Sequence, residues 1–553
     1  MKKALTTLFV ALSLLFPAIT TSNFASATGI DEQYQPTPPA DQTNYQGYRA
    51  QESFFQSTQD SYLGSWTYND SGTVQVKACS STSDSNCGAN SLKLQYSAVL
   101  PSCSASSSPD CVAAVTAQDE SGTALTVNPI GQFPTASFQQ FTGDPALKLP
   151  SGSTAVLVDI PGAPHAGGTN YLVKVALKGT KKANEKTFAA PEIQASIYAV
   201  KIVSGDFFET GLETNPTDTP TVDGSFQIGA YKANGQHPND GGHPTTVCVT
   251  SSYTQCAEPF ALPTNISFGF SLHLSNQPVG WLHGRMKSPT IDLNTAGGIT
   301  TLNVSAQPIK VPVAATWVTN DQVTPDLKAF YAQRGWKQNV QNISNSHDSG
   351  GFNQESMNEF LMWLPILKDK AAALPTLWTL NSMRANDGGD KISQCLNQTS
   401  NLAGIVTTNA TMYIDGPPQF DKNQGALNYK VAATHFEPDG STPFKGTYDL
   451  VMNSKVARCI YGYTSAPVGA TISVTSADGT PDIATTVLGE KNGWLYLGAY
   501  NFTFSNPNIT VKLTQAPSKS QTTKVITKSI TCVKGKVSKV VSTPSCPAGY
   551  KKK

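Results

Sequence analysis

Hydrophobic and polar residues alternate along much of this chain. TVQVKA (73–78), SLKLQYSAV (91–99), YLVKVALKG (171–179), QASIYAVKIV (194–203) and SFGFSLHL (267–274) repeat with period two. So do YKVAATHF (429–436), TYDLVMN (447–453), ATISVTS (470–476), GWLYLGAYNFTF (493–504) and ITVKLTQ (509–515). Successive side chains on a strand point to opposite faces, so this pattern predicts half-buried strands. Turn signals separate the runs: DESG at 119–122, PDGS at 438–441 and ADGT at 477–480. No strand–helix–strand rhythm appears, so the sheets should be antiparallel and sandwich-like.

One region departs from this period. In TPDLKAFYAQRGW (324–336) Thr324 can cap a helix, Pro325 suits its first position and Gly335 stops it. From Asn353 onward, Met357, Phe360, Leu361 and Leu364 fall on one helical stripe, and Pro365 and Pro375 end or kink the runs. The expected fold is mainly β: several antiparallel β-sandwich-like domains, a helical insert, and a small disulfide-stapled C-terminal tail. The divisions are a signal peptide at 1–27, a poorly ordered N-terminal segment at 28–60, and a β-rich region of one or two domains at 61–320. A helical insert at 321–400, a β-sandwich-like domain at 401–515, a linker at 516–527 and a lysine-rich module at 528–553 complete them.

Composition adds a compartment. Lys2 and Lys3 precede an apolar run from Leu5 to Ile19, and Ala25-Ser26-Ala27 is a small-x-small cleavage pattern. The run is short for a membrane span and Pro17 interrupts it, so a cleaved signal is expected, with no transmembrane segment after cleavage. Only 14% of residues are charged, as in extracellular β-rich proteins. All ten cysteines lie beyond residue 27. Cys79 and Cys87, Cys103 and Cys111, and Cys248 and Cys256 each enclose seven mostly small, polar residues, the look of a staple across a hairpin tip. Cys532 and Cys546 make a fourth local pair, leaving Cys395 to Cys459. No Cys-x-x-Cys occurs, which disfavours thiolate metal ligation in an oxidising compartment. Neither a cofactor nor a metal is expected.

Candidate chemistry is sparse. Asp348-Ser349-Gly350-Gly351 and the AATHF around His435 look like fragments of a trypsin-type serine protease. However, His347 and Phe352 stand where that pattern needs Gly and Pro, and the histidine follows the serine. Ser349 is therefore expected in a loop before a helix, out of reach of His435. His237, Asp240 and His243 share one loop, and Asp206, Glu209 and Glu213 one acidic stretch; each pattern is common on a plain surface. In GWLHGRMKSP, Trp281, His283, Arg285 and Lys287 alternate, so one strand face can present them as a ligand face. The favoured alternative is a strand edge guarded by charge.

Charge is divided sharply. The chain carries 39 basic and 38 acidic residues. From Ala516 onward there are nine lysines (Lys519, Lys524, Lys528, Lys534, Lys536, Lys539, Lys551, Lys552 and Lys553) and no acid. Without these and the two signal lysines, 28 basic face 38 acidic residues, so the body is about −10 and the tail +9. Such a tail attracts polyanions such as cell-wall polymers or acidic polysaccharide. No nucleic-acid partner is expected.

The tail, with Thr531-Cys532-Val533-Lys534-Gly535-Lys536 and a closing Cys-Pro-x-Gly-Tyr-Lys-Lys-Lys, resembles a short module of uncharacterised secreted actinobacterial surface proteins. GWLHGRMKSPTIDL and VARCIYGY are similar to stretches of uncharacterised secreted proteins of the same bacteria. The resemblance implies export and surface association, and no catalytic residue. The expected function is that of an exported, disulfide-stabilised bacterial surface or extracellular protein, non-enzymatic, with a binding or structural role. The alternative is an extracellular glycan hydrolase or polymer-binding protein.

Overall fold

The computed structural model describes residues 34–515 and 529–553, apart from 53–59, 213–227, 232–247, 334–342, 348–353, 384–393, 396–401 and shorter stretches. The signal segment 1–27, the linker 516–527, Lys519, Lys524, Lys528, Glu213, Ser349 and the loop of His237, Asp240 and His243 lie outside the described residues.

The alternating runs become strands, and most join one sheet of 14 strands. Its order is 485–491, 494–503, 445–453, 402–408, 280–285, 379–382, 192–204, 170–182, 93–99, 62–68 and 74–78; the strands 255–260, 128–133 and 155–159 attach along its flank. All neighbours run antiparallel except Gly280–Arg285 and Leu402–Thr408, which are parallel. The regions 61–320 and 401–515, read above as separate, therefore contribute strands to the same sheet. Residues 321–400 are not wholly helical either, because Thr379–Ser382 enters its centre between 192–204 and 280–285.

Each face of the sheet is covered. On one face packs a four-stranded sheet, with order 287–296, 299–307, 267–274 and 111–118. The strand Ile299–Gln307 alternates strictly between buried and half-buried residues, as its period-two sequence requires. Phe268, Phe270, Leu272, Leu302 and Val304 meet Leu282, Leu380, Ile405 and Val451 there. The opposite face, near the C-terminal strands, carries Val406, Leu450 and Leu497 against Leu427, Val431, Ile509 and Val511 of a six-stranded sheet. The helices Pro325–Gln333, Gln354–Trp363 and Ser454–Tyr461 join the same core. The Leu327 N–H donates to the Thr324 side chain at 3.3 Å, as a cap should.

The segment 28–60, expected to be poorly ordered, contributes the strand Tyr45–Ala50, paired with Ala314–Thr319 and Ile343–His347. Tyr48 stacks on Trp363 with ring centroids 4.7 Å apart, which anchors this strand in the core. Five disulfides join Cys79–Cys87, Cys103–Cys111, Cys248–Cys256, Cys395–Cys459 and Cys532–Cys546, the pairs read from the spacing. No helix among the described residues is long and apolar enough to cross a membrane.

Candidate functional site

Trp281, His283 and Arg285 do share one face of Gly280–Arg285. That strand is not an edge, because Thr379–Ser382 pairs on one side and Leu402–Thr408 on the other. All three side chains are buried, Arg285 completely. The guanidinium tolerates this through its partners. Nε donates to Glu52 Oε2 at 2.9 Å, Nη1 to the carbonyls of Thr408 at 3.1 Å and Ala410 at 2.5 Å, and Nη2 to that of Thr411 at 3.3 Å. The Arg285 guanidinium carbon also lies 4.6 Å from the Tyr413 ring centroid. His283 stacks on the same ring at 3.7 Å, nearly parallel. Burial, and then the nearby Arg285 charge, hold His283 far below the usual histidine range, so it stays neutral. These groups form a buried polar centre that joins the N-terminal segment to the middle of the sheet.

Beside that centre the chain crosses between sheets, since Gly280–Arg285 belongs to the large one and Lys287–Ala296 to the four-stranded one. Ser288 turns the corner in the left-handed region, at φ 51°. Its N–H donates to Asp449 Oδ2 at 3.1 Å, and Thr407 Oγ1 donates to the same oxygen at 3.2 Å. The Tyr500 hydroxyl donates to the other oxygen. Burial nevertheless pushes the Asp449 carboxyl up to about 6. Ser288 Oγ lies 3.3 Å from the Tyr500 hydroxyl. That hydroxyl is held above its usual range by burial and by Asp449, and its proton is directed at the carboxylate. It therefore accepts from Ser288 and does not deprotonate it, so the arrangement pins a corner and activates no nucleophile. The sequence offers Asp449 only as one polar residue in an alternating strand, with no local pattern to mark it.

The two buried groups give opposite pH dependences. Asp449 has a raised folded pKa, so its contribution is fully present below about 3.8 and is lost as pH rises through about 6. His283 has a depressed folded pKa, so its contribution is present above about 6.5 and is lost as pH falls. Asp449→Asn should therefore lose up to about 3 kcal/mol relative to the unsubstituted protein between pH 7 and pH 4. His283→Gln should gain relative stability over pH 6.5 to 5. Denaturant unfolding at four pH values measures both; parallel curves for either variant would contradict its assignment.

Asp206 is exposed, and Glu209 lies on the strand Glu209–Leu212. The His435 N–H donates to Asp369 at 2.8 Å and its Nδ1 lies 2.9 Å from the Phe504 carbonyl, so it is held as part of the framework. Lys174, 3% exposed, pairs with Asp60 at 2.6 Å on the inner strand Asn170–Lys182, where sequence reading assigned it no role.

The C-terminal module is a separate three-stranded sheet of Ile530–Lys534, Val537–Val541 and Lys551–Lys552. Lys534, Lys536, Lys539, Lys551, Lys552 and Lys553 are all exposed. Lys539 and Lys552 flank Cys532 from either neighbouring strand, while Lys551 sits opposite Val533 and so on the other face. Cys532 is fully buried and bonded to Cys546, which fixes the sheet around that bridge. No protein-family model matches the chain, and no curated protein matches it significantly. Fold and site together define a disulfide-stabilised, mainly β protein with a small terminal sheet on and around which six lysines stand exposed.

Proposed function

We propose that this is a non-enzymatic bacterial protein, exported to the surface or the surroundings, that binds anionic polymers through its lysine-rich C-terminal module. Cell-wall polymers and acidic polysaccharide are the expected class. One observation carries the reading: six lysines of the tail stand exposed on and around a small sheet stapled by Cys532–Cys546. Lys534, Lys539 and Lys552 share the face of Cys532, where like charges repel one another, and a polyanion laid along that face relieves the repulsion. The five disulfides fit an oxidising compartment. The tail's resemblance to secreted surface proteins supports the same location.

The interaction is electrostatic and should fade with salt, because the screening length falls from about 10 Å at 0.1 M to about 3 Å at 1 M. The full chain should sediment with isolated cell walls at low salt and be released at high salt. A chain truncated after Gln515 should stay in the supernatant. Equal binding by the truncated chain would show that the tail is not the tether.

A further inference from the structure

Cys103, Cys111 and His273 bring three metal-ligating atoms within 4.8 Å of one another, and no other set of three was found among the described residues. Strand pairing explains the cluster. His273 on Ser267–Leu274 sits directly across from Cys111 on Cys111–Gln118, so their side chains leave the same face. Cys103 is held beside them by its N–H, which donates to the Val112 carbonyl at 3.0 Å. Cys103 Sγ then lies 3.8 Å from His273 Nδ1. Cys111 is buried, whereas Cys103 and His273 are half-exposed, so the group opens to solvent on one side.

We propose that the Cys103–Cys111 bridge masks a metal site: once it is reduced, Cys103, Cys111 and His273 bind a borderline-soft divalent cation such as Zn²⁺. Zinc binds thiolate at about 2.3 Å and imidazole at about 2.1 Å in a tetrahedron, which sets neighbouring S and N about 3.6 Å apart and two sulfurs about 3.8 Å apart. The Cys103–His273 separation already meets the first condition. The sulfurs must part, by rotation of Cys103 at the end of the mostly exposed, small-residue loop Ser104–Pro109, and Cys111 and His273, which lie within 4.8 Å of each other, must close to the same span. A dithiol reductant supplies two electrons and two protons to the S–S bond and becomes a disulfide itself. The cation then displaces both thiol protons. Three protein ligands leave the fourth position to water. Metal and bridge exclude each other, so the site responds to the redox state of its surroundings.

The test uses the full chain with Co²⁺ as the probe. Before reduction no thiolate-to-cobalt charge-transfer band should appear. After limited dithiol treatment, with the opened cysteines mapped by alkylation, one Co²⁺ per chain should bind and be displaced by Zn²⁺. His273→Ala should weaken binding at least tenfold, and His273→Cys, which restores a ligand, should recover it. Cys79→Ser with Cys87→Ser should change nothing. Three results would overturn the proposal: no band in the reduced protein, a band that persists without Cys103 and Cys111, or a Cys103–Cys111 bridge that opens only when the whole chain unfolds.

Discussion

Glu52→Gln should lower the free energy of unfolding by about 3–5 kcal/mol, the cost of leaving a buried charge unpaired. Arg285 is wholly buried, and Glu52 is 6% exposed, so water cannot take the place of the lost carboxylate. The three backbone carbonyls that Arg285 also reaches are dipoles and do not cancel its charge. The effect is expected to be non-additive. Replacing both partners together, Glu52→Leu with Arg285→Met, should cost clearly less than Glu52→Gln alone, because no charge then remains in the interior. Chemical denaturation of the two variants settles the matter. Equal losses would mean that the pair contributes by packing and not by charge.

Removing the Cys395–Cys459 bridge should cost about 4 kcal/mol, more than any of the local bridges. A sequence separation of 64 makes the cross-link restrict the unfolded chain strongly; the separation of 8 at Cys79–Cys87 corresponds to about 2.6 kcal/mol. The bridge also holds a helix in place. Cys459 lies on Ser454–Tyr461, whose Asn453 cap accepts from the N–H groups of Lys455 and Val456 and whose Val456, Ala457 and Ile460 enter the core. Thermal unfolding of Cys395→Ala with Cys459→Ala, beside Cys79→Ala with Cys87→Ala, should show the larger drop in the first. A reversed order would rule out loop length as the controlling factor.

Much of the local structure was legible in the sequence. Strict alternation marked Ser267–Leu274 as a strand and read another at 429–436, where the structure has Ala426–Ala432, and Thr324-Pro325 marked the start of a helix. Equal seven-residue spacers pointed to three of the bridges. The position of a strand within a sheet was not legible, because an inner and an edge strand can carry the same alternation. Arg285 therefore read as edge protection although two neighbours enclose it. Its partner Glu52 was hidden for a related reason. Tyr45–Ala50 holds Gln, Gly and Arg among its six residues, a polar run that becomes a strand only because Tyr48 and Ala50 reach a core built from residues far along the chain. Asp449 was equally silent: its environment comes from Ser288, Thr407 and Tyr500, on three separate segments.

The order of strands in the large sheet has a consequence for biogenesis. Glu52 precedes Arg285 by 233 positions, so the first ordered segment must wait for its counter-ion while the ribosome adds that many residues. At roughly 5–20 residues per second the delay is on the order of 10–50 s. Over that interval Glu192–Ser204 is made but only partly paired: Gln255–Phe260 covers its far half, from Ala199 to Ser204, while Gln194 to Ser196 await Thr379–Asn381. A nascent chain that stops short of residue 379 thus exposes a ready strand edge to other copies of itself. Late completion of the sheet favours a route in which the chain is kept extended until Thr379–Ser382 has emerged, whether by a chaperone or by threading across a membrane.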